Sequence, residues 1–278
     1  MISIIILTLN EEQDLPICLD ALGWCDDIHL LDSGSTDNTL AIAESYSLTL
    51  HYNAFSSFGQ QRNHALDAIA TKYDWILFLD ADEVVTPAFV TAIKTQTAAA
   101  DEAVAGFYCC WKMMLNGRWL KHCDNFPKWQ FRLLRRGRVR FTDFGHGQKE
   151  GEIDGVLEYI KEPYLHFSFS KGWTEWFARH NKYSSQEAKS RLESNAPFKD
   201  IFASNTSQRN PALKAWLVKI PGWPFLRFLQ AYFLNLGFLE GKHGYTYCVN
   251  MAFYEHLIKI KMKEIKYQSI TKEKQTLL

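Results

Sequence analysis

The sequence predicts an α/β protein with a mostly parallel mixed sheet flanked by helices and followed by a helical C-terminal extension. The first hundred residues alternate short apolar runs with segments of helical periodicity. Polar clusters follow the first, second and fourth of these runs, and the last hundred residues show helical patterns. Repeated βα units build parallel sheets that bind ligands outside the carboxyl ends of their strands.

The N-terminal elements follow one another as strand, helix and strand. Residues 2–8 form an apolar run of strand length. Leu15, Cys18, Leu19 and Leu22 are spaced as one face of a helix. Further strands are expected at 28–31, 48–52 and 75–79, and further helices at about 38–46 and at 60–70.

The pattern changes after about residue 104. Strands are expected at 104–113, 128–135 and 156–166, and a long helix at about 172–194. Residues 195–210 are polar and are expected to form a loop, and residues 211–266 contain two more helical patterns.

Composition restricts the class of protein. The 278 residues include 31 basic and 31 acidic side chains, so nothing indicates general affinity for nucleic acid. Six cysteines without CxxC spacing favour reduced thiols in a cytosolic protein. The N-terminus lacks the features of a signal peptide, and no stretch approaches the ~20 apolar residues of a membrane-spanning helix.

Three carboxylates end the fourth apolar run, at Asp80, Asp82 and Glu83. In an extended segment residues i and i+2 point to the same side, so Asp80 and Asp82 are expected to converge on one ligand. Carboxylates at a strand end suit a hard divalent cation that bridges to phosphates. The alternative is a solvated turn in which Asp82 or Glu83 lies near the start of the next helix.

Four ordered motifs surround this edge: TLNEE at 8–12, DSGSTDNT at 32–39, FGQQRNHAL at 58–66 and LFLDADE at 77–83. Their order resembles the nucleotide-sugar half of the inverting family-two glycosyltransferases, which have the GT-A fold. The QRN and DADE variants resemble the branch that adds sugars to lipopolysaccharide core or related lipid-linked glycans. The likeness is strong over about 1–95 and weaker at LHFSF (165–169) and GFLEG (237–241).

The resemblance implies a catalytic domain at 1–170 and a helical extension at 171–278. Residues 1–100 would be the nucleotide-sugar half and 101–170 the acceptor half. It also implies site residues: Thr8, Asn10 and Glu11 lining the nucleoside site, Asp32 on the base, Arg62 against the nucleotide, Asp80 on the ribose or the metal, and Asp82 ligating Mg²⁺ or Mn²⁺.

Some of these residues have simpler explanations. Asp32 and Asp37 suit helix caps, which is the preferred interpretation of Asp37. Asn10 suits a turn, and Arg62 suits the exposed first turn of a helix. For Arg62, its place in an ordered set of four motifs favours binding.

An inverting transfer needs a general base that takes the proton of the acceptor hydroxyl. The related branch carries a His-Glu pair here, whereas this chain has FGHGQKEGE at 144–152, with no glutamate directly after His146. Glu150 is the first candidate base, followed by Asp143 and His146; the alternative is that these are solvated charges on a Gly-rich loop. Asp124 is a further candidate contact of the acceptor.

Two basic or titratable features stay ambiguous. His166 suits either a core histidine or the edge of the site. The arginines at 132, 135, 136, 138 and 140 are expected on a solvated hairpin, and the alternative is that they also contact acceptor phosphates.

The C-terminal part is basic. Residues 211–278 hold ten lysines and arginines against four glutamates, a net charge of +6, and 225–234 is apolar with interspersed polar groups. Such a segment is typical of one that lies in a membrane interface. The expected location is therefore peripheral, on the cytoplasmic face of the inner membrane, through 211–266. The alternative is that these helices dock on the catalytic domain or on another subunit.

The expected function is a metal-dependent inverting transfer of a hexose, from a nucleotide-sugar donor linked to uridine diphosphate, to a lipid-linked saccharide acceptor. A sugar-nucleotide pyrophosphorylase would need a Gly-rich basic loop after the first strand, and TLNEE is acidic and Gly-free. A phosphatase of the haloacid dehalogenase type would carry its DxD after the first strand. A non-catalytic membrane-associated scaffold is opposed by the intact Asp32, Arg62, Asp80 and Asp82.

Overall fold

The computed structural model describes residues 1–144, 147–194 and 196–276. The predicted α/β class, with a mixed sheet flanked by helices and a helical C-terminal extension, is confirmed. The chain divides into two compact units. Unit 1 contains Met1–Lys121 and Asn125–Lys171, and unit 2 contains His122–Asp124 and Gly172–Leu278.

Nine of the strands in the described part of unit 1 form one sheet, and two form a separate hairpin. The strands are β1 (Ile2–Thr8), β2 (Ile28–Asp32), β3 (Thr49–Tyr52), β4 (Trp75–Asp80), β5 (Glu83–Val84), β6 (Val104–Leu115), β7 (Arg118–Trp119), β8 (Trp129–Arg135), β9 (Val139–Phe144), β10 (Gly147–Ile153) and β11 (Val156–His166). The helices of this unit are α1 (Leu15–Asp20), α2 (Thr39–Glu44), α3 (Phe58–Ala68) and α4 (Pro87–Ala99).

The first half of the sheet is parallel, in the order β3-β2-β1-β4. Thr8 pairs with Asp32, and Leu7 pairs with Asp80. The apolar runs of β1, β2 and β4 are buried on both faces, because helices cover both sides of the sheet there, whereas β3 is largely exposed. The register therefore brings the polar residues that follow three strands to one edge.

The second half is mixed: β8 runs antiparallel to β4 and β6, and β11 is parallel to β6. β9 and β10 form the separate antiparallel hairpin. The Asn63 side chain on α3 bonds to both the backbone N–H and the carbonyl of Phe141 at 2.9 Å, which attaches β9 to the helix. The expectation of a loop at 147–152 is wrong: GQKEGEI shows no apolar alternation, the signal on which strand prediction depends.

Unit 2 is helical, with α5 (Gly172–Glu193), α6 (Thr206–Leu217), α7 (Trp223–Leu229) and α8 (Gly241–Thr276). Arg191 of α5 donates to both carboxylate oxygens of Glu255 at 2.8 and 3.1 Å, and so ties α5 to α8. The predicted loop at 195–210 is wrong in part, because a 3-10 turn spans Phe198–Phe202 and α6 starts at Thr206. Across the described ranges, no helix combines the length and the apolar content needed to cross a bilayer.

Candidate active site

Two buried arginines hold Asp80 at the end of β4. Arg62 of α3 donates to Oδ1 at 3.1 Å, and Arg132 of β8 donates to Oδ2 at 2.5 Å and to Oδ1 at 3.3 Å. Both arginines are 1 % exposed. Burial acts to raise the pKa of Asp80, but Arg132 and Arg62 outweigh it and hold that pKa well below its usual range. Asp80 is therefore an ionised carboxylate whose two oxygens are already engaged.

Glu83 completes this buried cluster. Its Oε1 accepts from Arg132 and, at 3.1 Å, from the hydroxyl of Tyr164, and its Oε2 accepts from the backbone N–H of Asp80 at 3.0 Å. Glu83 is fully buried, so the solvated-turn interpretation is wrong for this residue. The expectation of a solvated Arg132 is also wrong, because a charge inside the apolar run of β8 is stable only when it is paired.

Asp82 has a different partner. Its Oδ2 lies 3.4 Å from Nε2 of His166, at the end of β11. Burial acts to lower the pKa of His166, but Asp82 outweighs it and raises that pKa to about 9. β4 ends at Asp80, so the same-side rule for extended residues does not extend to Asp82. Convergence of Asp80 and Asp82 on one ligand stays a prediction.

Asp32, at the end of β2, organises the turn that follows. Its Oδ2 accepts from the backbone N–H groups of Gly34 and Ser35, both at 2.8 Å. Its Oδ1 accepts from the hydroxyls of Ser35 at 2.5 Å and Thr8 at 3.1 Å. Gly34 has φ +102°, a conformation that favours glycine. The residue that would meet the base therefore also fixes the loop around it.

The loop after β1 is fastened to two other segments. Asn10 accepts from the backbone N–H of Thr36 at 2.8 Å, and its own carbonyl accepts from Lys171 Nζ at 2.7 Å. Lys171 also pairs with Glu11 Oε1 at 2.8 Å. Burial raises the pKa of Glu11 to about 7, against the effect of Lys171. Thr8, Asn10 and Glu11 thus lie together with the turn after β2, at the edge where they were predicted.

Asp37 fastens the start of α2, but the N-cap residue of that helix is Asn38, so the N-cap interpretation of Asp37 is wrong by one residue. Its Oδ1 accepts from the backbone N–H of Thr39 at 3.0 Å and from the Thr39 hydroxyl at 2.5 Å, where α2 begins. Hydrogen bonds outweigh burial, which acts in the opposite direction, and lower the pKa of Asp37.

The donor set at this edge fits a hard cation held by one carboxylate. Within the described residues no three histidine, cysteine or acidic side chains cluster as a metal site. Mg²⁺ commonly takes only one or two protein carboxylates and completes its shell with water and phosphate. Asp82 offers carboxylate oxygens at this edge, whereas both oxygens of Asp80 bind arginine. The residues present therefore fit a cation at Asp82 better than at Asp80.

The candidate bases lie on the β9–β10 hairpin. Glu150 accepts a hydrogen bond from the hydroxyl of Tyr108 on β6. Asp143 accepts from the backbone N–H of Gly59, at the start of α3, at 2.9 Å. His146 lies outside the described residues. Asp124, the further candidate, belongs to unit 2, where it is buried and accepts from the Tyr247 hydroxyl at 2.5 Å.

Sequence reasoning missed Tyr164, Lys171 and Tyr108, and it placed Arg132 on a solvated hairpin. A signal existed for Arg132, because a lone arginine between Phe131 and Leu133 interrupts an apolar strand. Lys171 and Tyr108 gave no signal, since their partners are distant in the sequence.

The fold and this edge define a class of protein. The glycosyl transferase family 2 model matches residues 3–148, just over half of the chain. The chain belongs to this family, which confirms the resemblance, and it is a glycosyltransferase.

Individual relatives extend the likeness. The chain is 28% identical over 268 residues to the lipopolysaccharide core biosynthesis glycosyltransferase LpsC of Rhizobium meliloti, covering 94% of this chain and 91% of LpsC. It is 40% identical over 93 residues to a PGL/p-HBAD biosynthesis glycosyltransferase of Mycobacterium tuberculosis, covering 30% and 36% of the two chains. Among solved structures, S. aureus TarS 1–349 in complex with UDP-GlcNAc is similar, with a TM-score of 0.46 and 15% identity over 96% of this chain and 91% of that one.

Proposed function

We propose that the protein catalyses an inverting, metal-dependent transfer of a hexose from a uridine diphosphate sugar to a hydroxyl of a lipid-linked saccharide such as lipopolysaccharide core. The observation that carries this proposal is the common edge of β1, β2 and β4, with Thr8 opposite Asp32 and Leu7 opposite Asp80. The relative LpsC, which is similar along almost its whole length, supports the acceptor class through its name.

On the donor side, Thr8, Asn10 and Glu11 line the nucleoside and Asp32 hydrogen-bonds the base. Because the Asp32 oxygens already accept four hydrogen bonds, binding of the base would exchange one of them, and the hydroxyls of Thr8 and Ser35 are the donors that can rotate away. Asp80, whose side chain is 38% exposed, forms the adjacent wall, and the buried Arg62 lies behind it. Because this ion pair is already formed, the wall needs no rearrangement when the nucleotide binds.

Asp82, with His166 beside it, would hold Mg²⁺ or Mn²⁺. Such an ion, when bound, stabilises the charge of the leaving nucleoside diphosphate as a Lewis acid. Because the imidazole of His166 must lose its proton to ligate a metal, and Asp82 raises its pKa to about 9, metal affinity is expected to rise with pH.

Glu150 is the proposed general base, with Asp143 and His146 behind it. The hydrogen bond from Tyr108 holds the Glu150 carboxylate in one orientation and leaves acceptor capacity for a substrate hydroxyl. Asp143 is engaged with the first turn of α3 instead, which favours a structural role for that residue.

Unit 2 is proposed to lie against the cytoplasmic face of the membrane. Large apolar side chains are exposed on α7 and on the segment between α7 and α8, and 211–278 carries a net charge of +6. A basic and apolar surface suits anionic lipid headgroups. The exposed residues are Phe225, Phe233, Leu234, Phe238 and Leu239.

A panel of nucleotide sugars tests the proposed function. Purified protein should release nucleoside diphosphate from at least one uridine diphosphate hexose in the presence of Mg²⁺ or Mn²⁺, and release should increase with a lipid-linked glycan acceptor. Chelator should stop both reactions. Absence of turnover with every donor, together with retained nucleotide binding, would favour the non-catalytic scaffold instead.

A further inference from the structure

Three aromatic rings form a contiguous surface on β6, β8 and β11. The Tyr108 and Tyr159 rings stack, with centroids 5.1 Å apart and an interplanar angle of 21°. Trp129 meets Tyr159 edge to face, with centroids 4.9 Å apart. We call Tyr108, Trp129 and Tyr159 the aromatic platform. Because Tyr159 pairs with Tyr108, and Tyr108 pairs with Phe131, the platform crosses three adjacent strands.

The platform faces the same side of the sheet as the donor site. Ring contacts lead from Tyr108 to Phe131 (5.7 Å), from Phe131 to Phe141 (5.9 Å) and from Phe141 to Phe78 (5.8 Å). The Arg62 guanidinium, which holds Asp80, lies 5.7 Å from the centroid of the Phe78 ring. A continuous row of rings therefore connects the platform with the arginine that pairs with the strand-end carboxylate.

The inner and outer parts of this row differ in exposure. Phe78 and Phe131 are buried, whereas Trp129 is 36% exposed and Tyr159 is 50% exposed. Tyr159 keeps half of its surface exposed although its ring stacks on Tyr108 and contacts Trp129. The Glu150 carboxylate stands at the rim and accepts from the Tyr108 hydroxyl.

The size and chemistry of the platform indicate its occupant. Aromatic side chains bury about 150–250 Å² each, so two exposed rings supply well under the ~800 Å² per partner of a stable protein interface. A pyranose ring has the matching properties: the C–H groups on one face pack against aromatic rings, and its hydroxyls need a rim acceptor such as a carboxylate.

We propose that the aromatic platform binds a pyranose ring of the acceptor glycan, with Glu150 accepting a hydrogen bond from one of its hydroxyls. The identification of this sugar as part of the acceptor rests on the proposed function. The binding of a sugar to the platform does not. The platform is then the part of the protein that selects the acceptor, separate from the residues that hold the donor.

Saturation-transfer NMR tests the binding directly, with the methyl glycosides of glucose, galactose, mannose and N-acetylglucosamine as probes. At least one glycoside should receive saturation on its ring C–H protons from the wild-type protein. Trp129→Ala and Tyr159→Ala should each weaken its affinity by roughly threefold to tenfold, the scale of one lost aromatic contact. Trp129→Phe, which keeps an aromatic face, should retain most of the signal.

Phe202→Ala is the matched control, since Phe202 is an aromatic residue of unit 2 that is 78% exposed. It should leave the signal unchanged, and calorimetry with uridine diphosphate should give wild-type affinity for all four variants. No signal with any glycoside, or an unchanged signal in Trp129→Ala and Tyr159→Ala, would overturn the proposal, and equal loss in Phe202→Ala would do the same. If glycoside binding depends on the platform but the protein turns over no donor, the proposed function is refuted and the platform proposal stands.

Discussion

Two regions of unit 1, the end of β4 and the aromatic platform, differ in how their side chains are held. At the end of β4, Arg62, Arg132 and Glu83 are at most 1 % exposed and surround Asp80 with charge. At the platform, Trp129 and Tyr159 are exposed, and Glu150 accepts one hydrogen bond from a tyrosine hydroxyl. The difference shows that a buried ion network fixes the end of β4 in advance of any binding, whereas a substitution in the platform would leave that network intact.

Asp82→Asn should have the largest effect on activity. Loss of the carboxylate that would hold the cation should lower transfer by roughly 1,000-fold or more, because metal stabilisation of the leaving group is worth several kcal/mol. Steady-state kinetics with a uridine diphosphate sugar would measure it. Asp74→Asn is the control, since Asp74 is a surface residue that pairs with Arg136. Full activity of Asp82→Asn would remove Asp82 from the site.

Glu150→Gln sharpens the comparison in the acceptor half. A general base contributes about 10²–10⁴-fold, so acceptor-dependent transfer should fall by that factor while uridine diphosphate affinity stays unchanged. Asp143→Asn should have a smaller effect, because Asp143 bonds to the first turn of α3. If the ranking is reversed, Asp143 is the base and the hairpin presents its other end to the acceptor.

Arg132→Met tests the buried ion network that Arg132 forms with Asp80 and Glu83, and the measured quantity is the free energy of unfolding. Removing one partner of a buried ion pair leaves an uncompensated charge, so the free energy of unfolding should fall by about 3–5 kcal/mol. Urea unfolding of Arg136→Met gives the contrast: Arg136 is exposed and pairs with Asp74 at the surface, and should lose at most about 1 kcal/mol. Similar losses in both variants would mean that the network does not stabilise the fold.

The raised pKa of Glu11 leads us to expect a smaller, pH-dependent effect on the free energy of unfolding. Its pKa in the folded protein is raised to about 7, against ~4.3 in an unfolded chain. The folded state therefore binds an extra proton between these values, and this contribution to stability is lost as the pH rises through 7. Relative to Glu11→Gln, wild type should lose up to about 3 kcal/mol between pH 4.5 and 8 in urea unfolding. A constant difference in unfolding free energy between wild type and Glu11→Gln from pH 4.5 to 8 would contradict this. It would show that the Glu11 carboxyl has the same pKa in the folded and unfolded states.

The nucleotide half was largely predictable from the sequence. Its strands are apolar runs that end in polar residues, and the rules for parallel sheets bring those ends together. This is why β1, β2 and β4 and the neighbourhood of Thr8, Asp32 and Asp80 were found within a residue or two. The assignment of these residues to the nucleotide stays a prediction.

The acceptor half was less predictable because its structure depends on long-range pairs. The β9–β10 hairpin has no apolar alternation, and Tyr108 meets Glu150 across 42 positions of sequence. Arg132 was misjudged because it was grouped with four neighbouring arginines, although only its strand position determines that it is buried. The division into domains with separate donor and acceptor roles likewise stays a prediction.

The central claim is that the edge formed by β1, β2 and β4 binds a nucleoside diphosphate through a cation at Asp82. Calorimetric titration of uridine diphosphate into wild-type protein, with Mn²⁺ and with excess chelator, tests it most directly. We expect wild-type protein to bind uridine diphosphate in Mn²⁺ and much more weakly in chelator. In Mn²⁺, Asp82→Asn should bind as weakly as wild type does in chelator, and Asp74→Asn should bind normally. Binding that is indifferent to both the metal and Asp82, or no binding by the wild-type protein, would contradict it.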